Sequence, residues 1–322
     1  MSSDPRSGGD ALPRRKGFGA ESVFRTGTFA AGAMVLVIIV AITAFLVAEA
    51  VPALQADDAN FLTETEWFPN QTPPEFGIAA LAWGTLVTSV IALVVAVPVA
   101  LGIALYLSHY APRRIATTFG FVIDLLAAVP SVVFGLWGFT VFIEPVRSFS
   151  VWLNKYFGWI PLFGGDGPFG RSFMLGGLVL AIMVLPIITA LSREVFRQTP
   201  TANEEAALSL GATRWEMIRT AVLPYGRPGV IASVMLGLGR ALGETIALAL
   251  TLGFINEITV NIIQNGGNSI AANIANGFGE AGEIGRGALI ASGLVLFAIT
   301  LVVNMAARAI IYRRREFTES AA

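Results

Sequence analysis

Arg240 and Glu244 stand four residues apart in Gly237-Leu-Gly-Arg240-Ala-Leu-Gly-Glu244-Thr245, inside an otherwise uncharged apolar run. A charge in hydrocarbon costs about 2.5–3.5 kcal/mol on insertion scales, which makes each one a functional candidate. A spacing of four puts both on one face of a helix, where they can pair. Arginine offers a permanent charge and a planar fork that can hold an oxyanion, while the carboxylate can steady the fork and limit how tightly the anion is bound. Thr245 follows directly and is grouped with them in a candidate substrate pathway. Asp124, in Phe121-Val-Ile-Asp124-Leu-Leu, is the third charge in such a run and could be the counter-ion of Arg240, an assembly contact or a pathway residue. A purely structural role, with Arg240 and Glu244 neutralising one another between helices, stays open at this level.

The elements that must position these groups are membrane spans. With 55% hydrophobic and 13% charged residues, the chain has too little charge to cover a water-soluble domain of 322 residues. Six segments are long and apolar enough for a core that needs about 20 helical residues: 26–48, 77–108, 115–143, 172–192, 228–256 and 287–307. Backbone groups in lipid must be satisfied within the segment, so these are expected to be helices and the fold all-α. Pro98, Pro130 and Pro186 fall inside the second, third and fourth spans, where each removes a helical hydrogen bond and can kink the helix. Gly237, Gly239 and Gly243 would allow close helix approach in the fifth.

Charge fixes the expected orientation. Arg6, Arg14, Arg15, Lys16 and Arg25 precede the first span, whereas residues 49–76 carry six acidic groups and no Lys or Arg. The tail therefore reads as cytoplasmic and that loop as external. Arg113 and Arg114 then fall inside, as do Arg193, Arg197, Arg214, Arg219 and Arg227, and Arg313 to Arg315 close the chain on the same side. The polar, Gly- and Ser-rich start reads as a disordered tail, and the first apolar run reads as a span rather than a cleavable signal peptide, being too long and lacking a small-residue cleavage site after it.

Several chemistries lack the residues they need. There is no cysteine, so disulfides, thiolate metal sites and cysteine nucleophiles are ruled out. Neither Lys16 nor Lys155 stands in a GxxxxGK[ST] phosphate loop, so the chain cannot itself be an ATPase. The one histidine, His109, lies at the edge of the second span and reads as a satisfied interfacial side chain rather than a metal ligand.

The most informative stretch is 204–224, a basic-flanked polar loop between two spans. Thr201 or Asn203 can cap a helix whose first turn holds Glu204 and Glu205 near the positive end of its dipole. Ala206, Ala207, Leu208 and Leu210 form a small apolar ridge, and Gly211 ends the helix or allows a tight turn. A helix this short is marginal in water and needs burial against its own spans and a partner. Glu205-Ala206-Ala207, three residues, Gly211, and then Leu223-Pro224 resemble the EAA loop of ABC importer permeases, with Ala221 where that family usually has Ile. Two further stretches, from Asp124 through Pro130-Ser131 to Trp137-Gly138 and from Gly239 to Thr245, resemble signatures of the phosphate-importer permeases, PstC type more than PstA type. Residues 261–287 are similar to the external re-entrant loop of these subunits; by composition alone they would read as a flexible Gly/Asn-rich loop.

That resemblance implies a type I ABC importer permease fold with six transmembrane helices and cytoplasmic coupling helices, in the bacterial inner membrane with both termini cytoplasmic. Residues 1–25 would be a tail, 26–76 the first span and external loop, 77–312 the transporter domain and 313–322 a second tail. Glu204, Glu205, Ala206, Ala207, Gly211, Leu223 and Pro224 would couple to an ATPase. The implied partners are a second, PstA-type permease, two PstB-type ATPase subunits, a PstS-type external phosphate-binding protein and membrane lipid, with no nucleic acid. This chain would hold no cofactor, since Mg-ATP would be bound by the partner ATPase. The implied substrate is inorganic phosphate; import of another oxyanion, sulfate or molybdate, and a non-transporting membrane scaffold are the alternatives. The expected orientation has a direct check, because the chain has no native thiol. Asp57→Cys should react with a membrane-impermeant thiol reagent added outside intact cells, and Thr213→Cys should not; the reverse pattern would invert the orientation.

Overall fold

The computed structural model describes residues 20–319, with side chains from 22 to 309. The basic groups Arg6, Arg14, Arg15 and Lys16, the expected disorder of the chain's start, and the side chains of Arg313 to Arg315 lie outside the described residues. Along the chain come α1 (Ala20–Ala56), β1 (Trp67–Phe68), β2 (Glu75–Phe76), α2 (Ala79–Leu105), α3 (Arg113–Ala127), α4 (Ser131–Trp137) and α5 (Ile143–Phe157). They are followed by α6 (Phe173–Arg197), α7 (Thr201–Ser209), α8 (Arg214–Met217), α9 (Leu223–Leu242), α10 (Ile246–Thr251), α11 (Ile270–Gly277) and α12 (Glu283–Glu319). π-helical turns at Tyr106–Tyr110, Gly138–Phe142 and Ile218–Val222 extend α2, join α4 to α5 and join α8 to α9.

The chain divides into two compact units, Met1–Val47 and Ala48–Ala322. In the first, α1 presents apolar side chains all round, as a lipid-immersed helix does. Its Thr28 and Thr43 hydroxyls donate to carbonyls one turn back, Phe24 O and Ile39 O. In the second unit, Ala50 and Ala53 at the end of α1 are buried, and Ala53 packs with Phe76 and Ala288 beside the β1–β2 hairpin, in which Trp67 faces Phe76.

Among the described residues, six helical runs are long and apolar enough to cross a membrane. That number matches the sequence reading, but two spans are cut differently. Instead of one kinked helix over 115–143, the chain forms α3, breaks at Ala128 to Pro130, and starts its third run at Ser131. Pro130 disfavours helical backbone at Val129 and carries no N–H, so it sits as the N-cap of α4. α3, at 15 residues, reaches about 22 Å and is too short for a core of about 30 Å. The fifth run starts early, at Arg214, and stops at Leu242 rather than continuing to 256.

α6 is the centre of the second unit, with 67% of its most apolar stretch buried, against 28% for α2. Its contact with α2 works because α2 turns Ala92, Ala96, Ala100 and Ala104, each four residues on, toward the core at 0% exposure. Leu180, Met183, Val184 and Ile188 of α6 belong to the same core as the first three of these alanines, with Ala241, Leu248 and Ala272. α9 also packs closely on α6: a Cβ on Gly237 would lie 2.8 Å from Ile188 Cδ1. The same is not true of Gly239, which has open space around it, or of Gly243, which meets only a carbonyl of its own chain segment, so only one of the three glycines serves helix approach. The Ser192 and Ser233 hydroxyls hydrogen-bond at 2.8 Å across the α6–α9 contact. Ala96→Leu should overpack the α2–α6 seam by about 1–3 kcal/mol. In denaturant titration of the purified protein it should unfold clearly before the wild type, while Val94→Leu, at a site 68% exposed, should not.

Candidate functional site

Two regions at different levels of the bundle carry the candidate residues. The first is the loop after α6. Neither Thr201 nor Asn203 caps α7; the helix starts directly after Pro200, whose fixed φ suits that position, and no side chain closes its first turn. Glu204 instead reaches sideways. Its Oε1 lies 3.3 Å from Nε2 of His109, whose Nδ1 is 2.7 Å from the Ser108 hydroxyl. His109 thus ties α7 to the end of the second span, a role that nothing in its sequence neighbourhood signals across 95 residues.

Gly211 ends α7 as expected, and its conformation explains why glycine stands there. At φ +88° it lets Gly211 N–H bond Leu208 O at 3.0 Å and Ala212 N–H bond Ala207 O at 3.2 Å, the paired bonds of a Schellman cap. The chain then re-enters helix through a capping box, with Thr213 Oγ1 accepting from Glu216 N–H and Glu216 Oε2 accepting from Thr213 N–H. The π turn before Leu223 and Pro224 fits the missing N–H of Pro224, and Leu223 N–H bonds five residues back to Ile218 O.

The apolar ridge of α7 divides. Ala207 packs toward Phe196, Met217, Ile218 and Val222, while Leu208 and Leu210 point outward, Leu210 at 90% exposure. Asn203, Ala206, Ala207, Thr220, Ala221, Pro224 and Tyr225 line a groove of about 480 Å³ between α7 and the start of α9. Small side chains at 206, 207 and 221 leave that groove open.

The second region is the broken fifth span. α9 stops at Leu242, and Glu244 N–H bonds only weakly back to Ala241 O, at 3.4 Å. The expected Arg240–Glu244 pair does not form, because the helix that would have aligned the two ends between them. Glu244 is 7% exposed, and its Oε1 accepts the N–H of Ala247 at 3.2 Å, capping the new helix α10. Thr245 Oγ1 donates to Gly243 O at 3.2 Å. Arg240 is exposed, beside the open surface of Gly239, and has no carboxylate within 4.0 Å among the described residues.

Asp124 is not the counter-ion of Arg240. It lies on α3 with its side chain 55% exposed, and Arg193 Nη2 approaches its Oδ2 at 3.5 Å. Arg193 reaches it because Gly120, one turn earlier on α3, leaves room: a Cβ there would collide with the guanidinium. Asp124 therefore belongs to the seam between α3 and the end of α6 that leads into α7. Residues 261–287 are ordered, not a loose Gly/Asn-rich loop. Ile270 N–H donates to Thr85 Oγ1 at 3.0 Å, and Asn268 Nδ2 donates to Asn256 and Asn273. Gly84 on α2 gives the Asn268 carbonyl the space it occupies.

Comparison with known proteins agrees with this architecture. The family described as binding-protein-dependent transport system inner membrane component matches residues 96–316. A protein of Mycobacterium tuberculosis named phosphate transport system permease protein PstC 2 is 46% identical over 306 residues, 94% of each chain. One of Xylella fastidiosa named phosphate transport system permease protein PstC is 40% identical over 298 residues, 91% of each. Among solved structures, a bacterial ABC transporter involved in import of the acidic polysaccharide alginate aligns with a TM-score of 0.52 and 17% identity, covering 90% of this chain and 98% of that one. At that identity the likeness concerns the fold, that of ABC transporter permeases. With six apolar runs and a family match over most of its length, this multi-pass membrane protein belongs to the binding-protein-dependent transport system inner membrane component family.

Proposed function

We propose that the chain is the membrane-spanning permease subunit of an ATP-driven importer of inorganic phosphate. The observation that carries this is identity of 40–46% over more than nine-tenths of the chain with proteins named as phosphate transport permeases, together with an exposed arginine fork in a broken span. In this reading the chain hydrolyses nothing; ATPase subunits bind Mg-ATP and dock at the α7 loop. An external phosphate-binding protein delivers substrate on the opposite side, and a second permease completes the pathway. Both termini lie in the cytoplasm with the α7 loop.

The proposed division of labour follows from dimensions. Arg240 stands about 26 Å along α9 from Leu223, so anion contact and ATPase docking occur at well-separated levels of one rigid rod. A push on α7 is transmitted to α9 through Ala207 and the packed Met217, Ile218 and Val222, and to α2 through Glu204 and His109. Tilting those spans alters which side of Arg240 is open, which is alternating access. Arg240, with no carboxylate within 4.0 Å among the described residues, keeps its full fork for the anion.

Gly211→Pro cannot adopt φ +88° and removes the N–H that bonds Leu208, so the end of α7 is lost. Uptake of labelled phosphate should fall at least tenfold and ATPase copurification should fail, with the permease still inserted at normal levels. Normal uptake would remove α7 from the coupling role.

Arg240→Gln should likewise abolish most uptake, but with the ATPase still bound. Glu244→Gln keeps an oxygen for the Ala247 N–H and should retain most uptake, whereas Glu244→Leu should lose it along with stability, by about 1–3 kcal/mol for an uncapped buried N–H. Wild-type transport by Arg240→Gln would place the anion elsewhere.

A further inference from the structure

Arg171 lies immediately before α6, at the opposite end of that helix from α7, about 37 Å away along the axis. Its surroundings are unusual for a cation. Nη2 donates to the carbonyl of Ala249 in α10 at 3.0 Å, the one hydrogen bond of this side chain among the described residues. The guanidinium carbon sits 5.1 Å from the ring centre of Phe254 and 5.7 Å from that of Phe139. Nε is buried without an acceptor, and no carboxylate lies within 4.0 Å among the described residues. Burial alone pushes the group below the usual arginine range, with no acid opposing the shift.

The fold builds this arrangement at some expense. Phe254, under the guanidinium, is the one non-glycine residue at positive φ among the described residues, at +57°. Its N–H is held by Gly267 O at 2.9 Å, while Gly266 N–H holds the carbonyl of Arg171 itself at 2.8 Å. A strained aromatic residue and a glycine-rich return segment thus aim one arginine at the end of α10. Glu244, four residues after Arg240 in the chain, caps the other end of the same six-residue helix. Arg171 thus meets the last turn of α10 while Glu244 holds its first, and neither Arg171 nor Arg240 has a carboxylate within 4.0 Å among the described residues. An orphaned, charged donor in a partly open aromatic setting is what an absent anion would leave behind.

We propose that Arg171 is a second anion-contacting residue, a station for a tetrahedral oxyanion at the end of α10 opposite Glu244, so that substrate passes between its guanidinium and that of Arg240. This rests on the phosphate-importer reading above. The competing account is a staple, in which Arg171 serves only to hold Ala249, Phe139 and Phe254 together.

Two substitutions separate these in the assembled importer. Arg171→Lys keeps the cation, whereas Arg171→Gln keeps an amide N–H for Ala249 and loses the charge. At equal amounts of copurified ATPase, the lysine variant should take up labelled phosphate at least fivefold faster than the glutamine variant. Equal rates, or the reverse order, would leave only the staple. If either variant fails to assemble, Gly170→Cys in this cysteine-free chain, which keeps Arg171 and has room for a side chain, supplies the second measurement. Saturating inorganic phosphate should slow its modification by a thiol reagent several-fold, and an unchanged rate would overturn the proposal. Wild-type uptake of phosphate against sulfate tests the importer reading separately, so a failure of that reading and a failure of Arg171 give different results.

Discussion

Backbone polar groups freed inside a membrane have no water to turn to, and where the spans of this chain break, that constraint decides what surrounds the break. The fifth span stops at Leu242 and restarts at Ile246. Glu244 answers the freed N–H of Ala247, and Arg171 answers the carbonyl of Ala249. The return segment is satisfied in the same way: Trp83 Nε1 donates to Thr259 O at 2.7 Å, Thr85 accepts from Ile270 N–H, and Ser269 accepts from Ala272 N–H. Each of these side chains carries a polar or charged group that meets a backbone group the helices leave open. Their presence follows from the breaks, and the breaks create the irregular surface on which Arg240 and Arg171 sit.

Close helix approach is the second condition. The alanine stripe of α2 and Gly237 of α9 let α2, α6 and α9 meet around a core of Leu180, Met183, Val184 and Ile188. A rod so tightly held moves as a unit rather than deforming. α6 therefore links two ends with different chemistry. Arg171 precedes it, and at the other end Arg193 joins it to Asp124 while the chain runs on into α7. In the proposed transport cycle this stiffness is what lets docking on one side alter anion access on the other.

Much was legible in the sequence because it is local. Hydropathy gave six spans, since an apolar run of about 20 residues has few other places to go. Gly211 could be assigned as a helix end because glycine tolerates a left-handed backbone that other residues resist, and φ +88° is what the chain adopts there. The EAA-like spacing marked the loop for the same reason, its residue types being set by short-range turns and a narrow groove. Pro130, by contrast, was visible as a perturbation but not as a full break, since a proline within a span is compatible with either a kink or an end.

What the tertiary structure alone decided is who meets whom. Arg240 and Glu244 are four apart and would pair on a continuous helix, but a helix end between them sends Glu244 to the backbone of α10. Asp124 meets Arg193 instead of Arg240, His109 meets Glu204 from 95 residues away, and Arg171 reaches Ala249 across 78. Local patterns of hydropathy and turn chemistry determine elements, because their energies come from neighbours within a few residues. Partners of charged groups depend on how those elements pack, and a single chain of letters carries no distance between residues that only folding brings together.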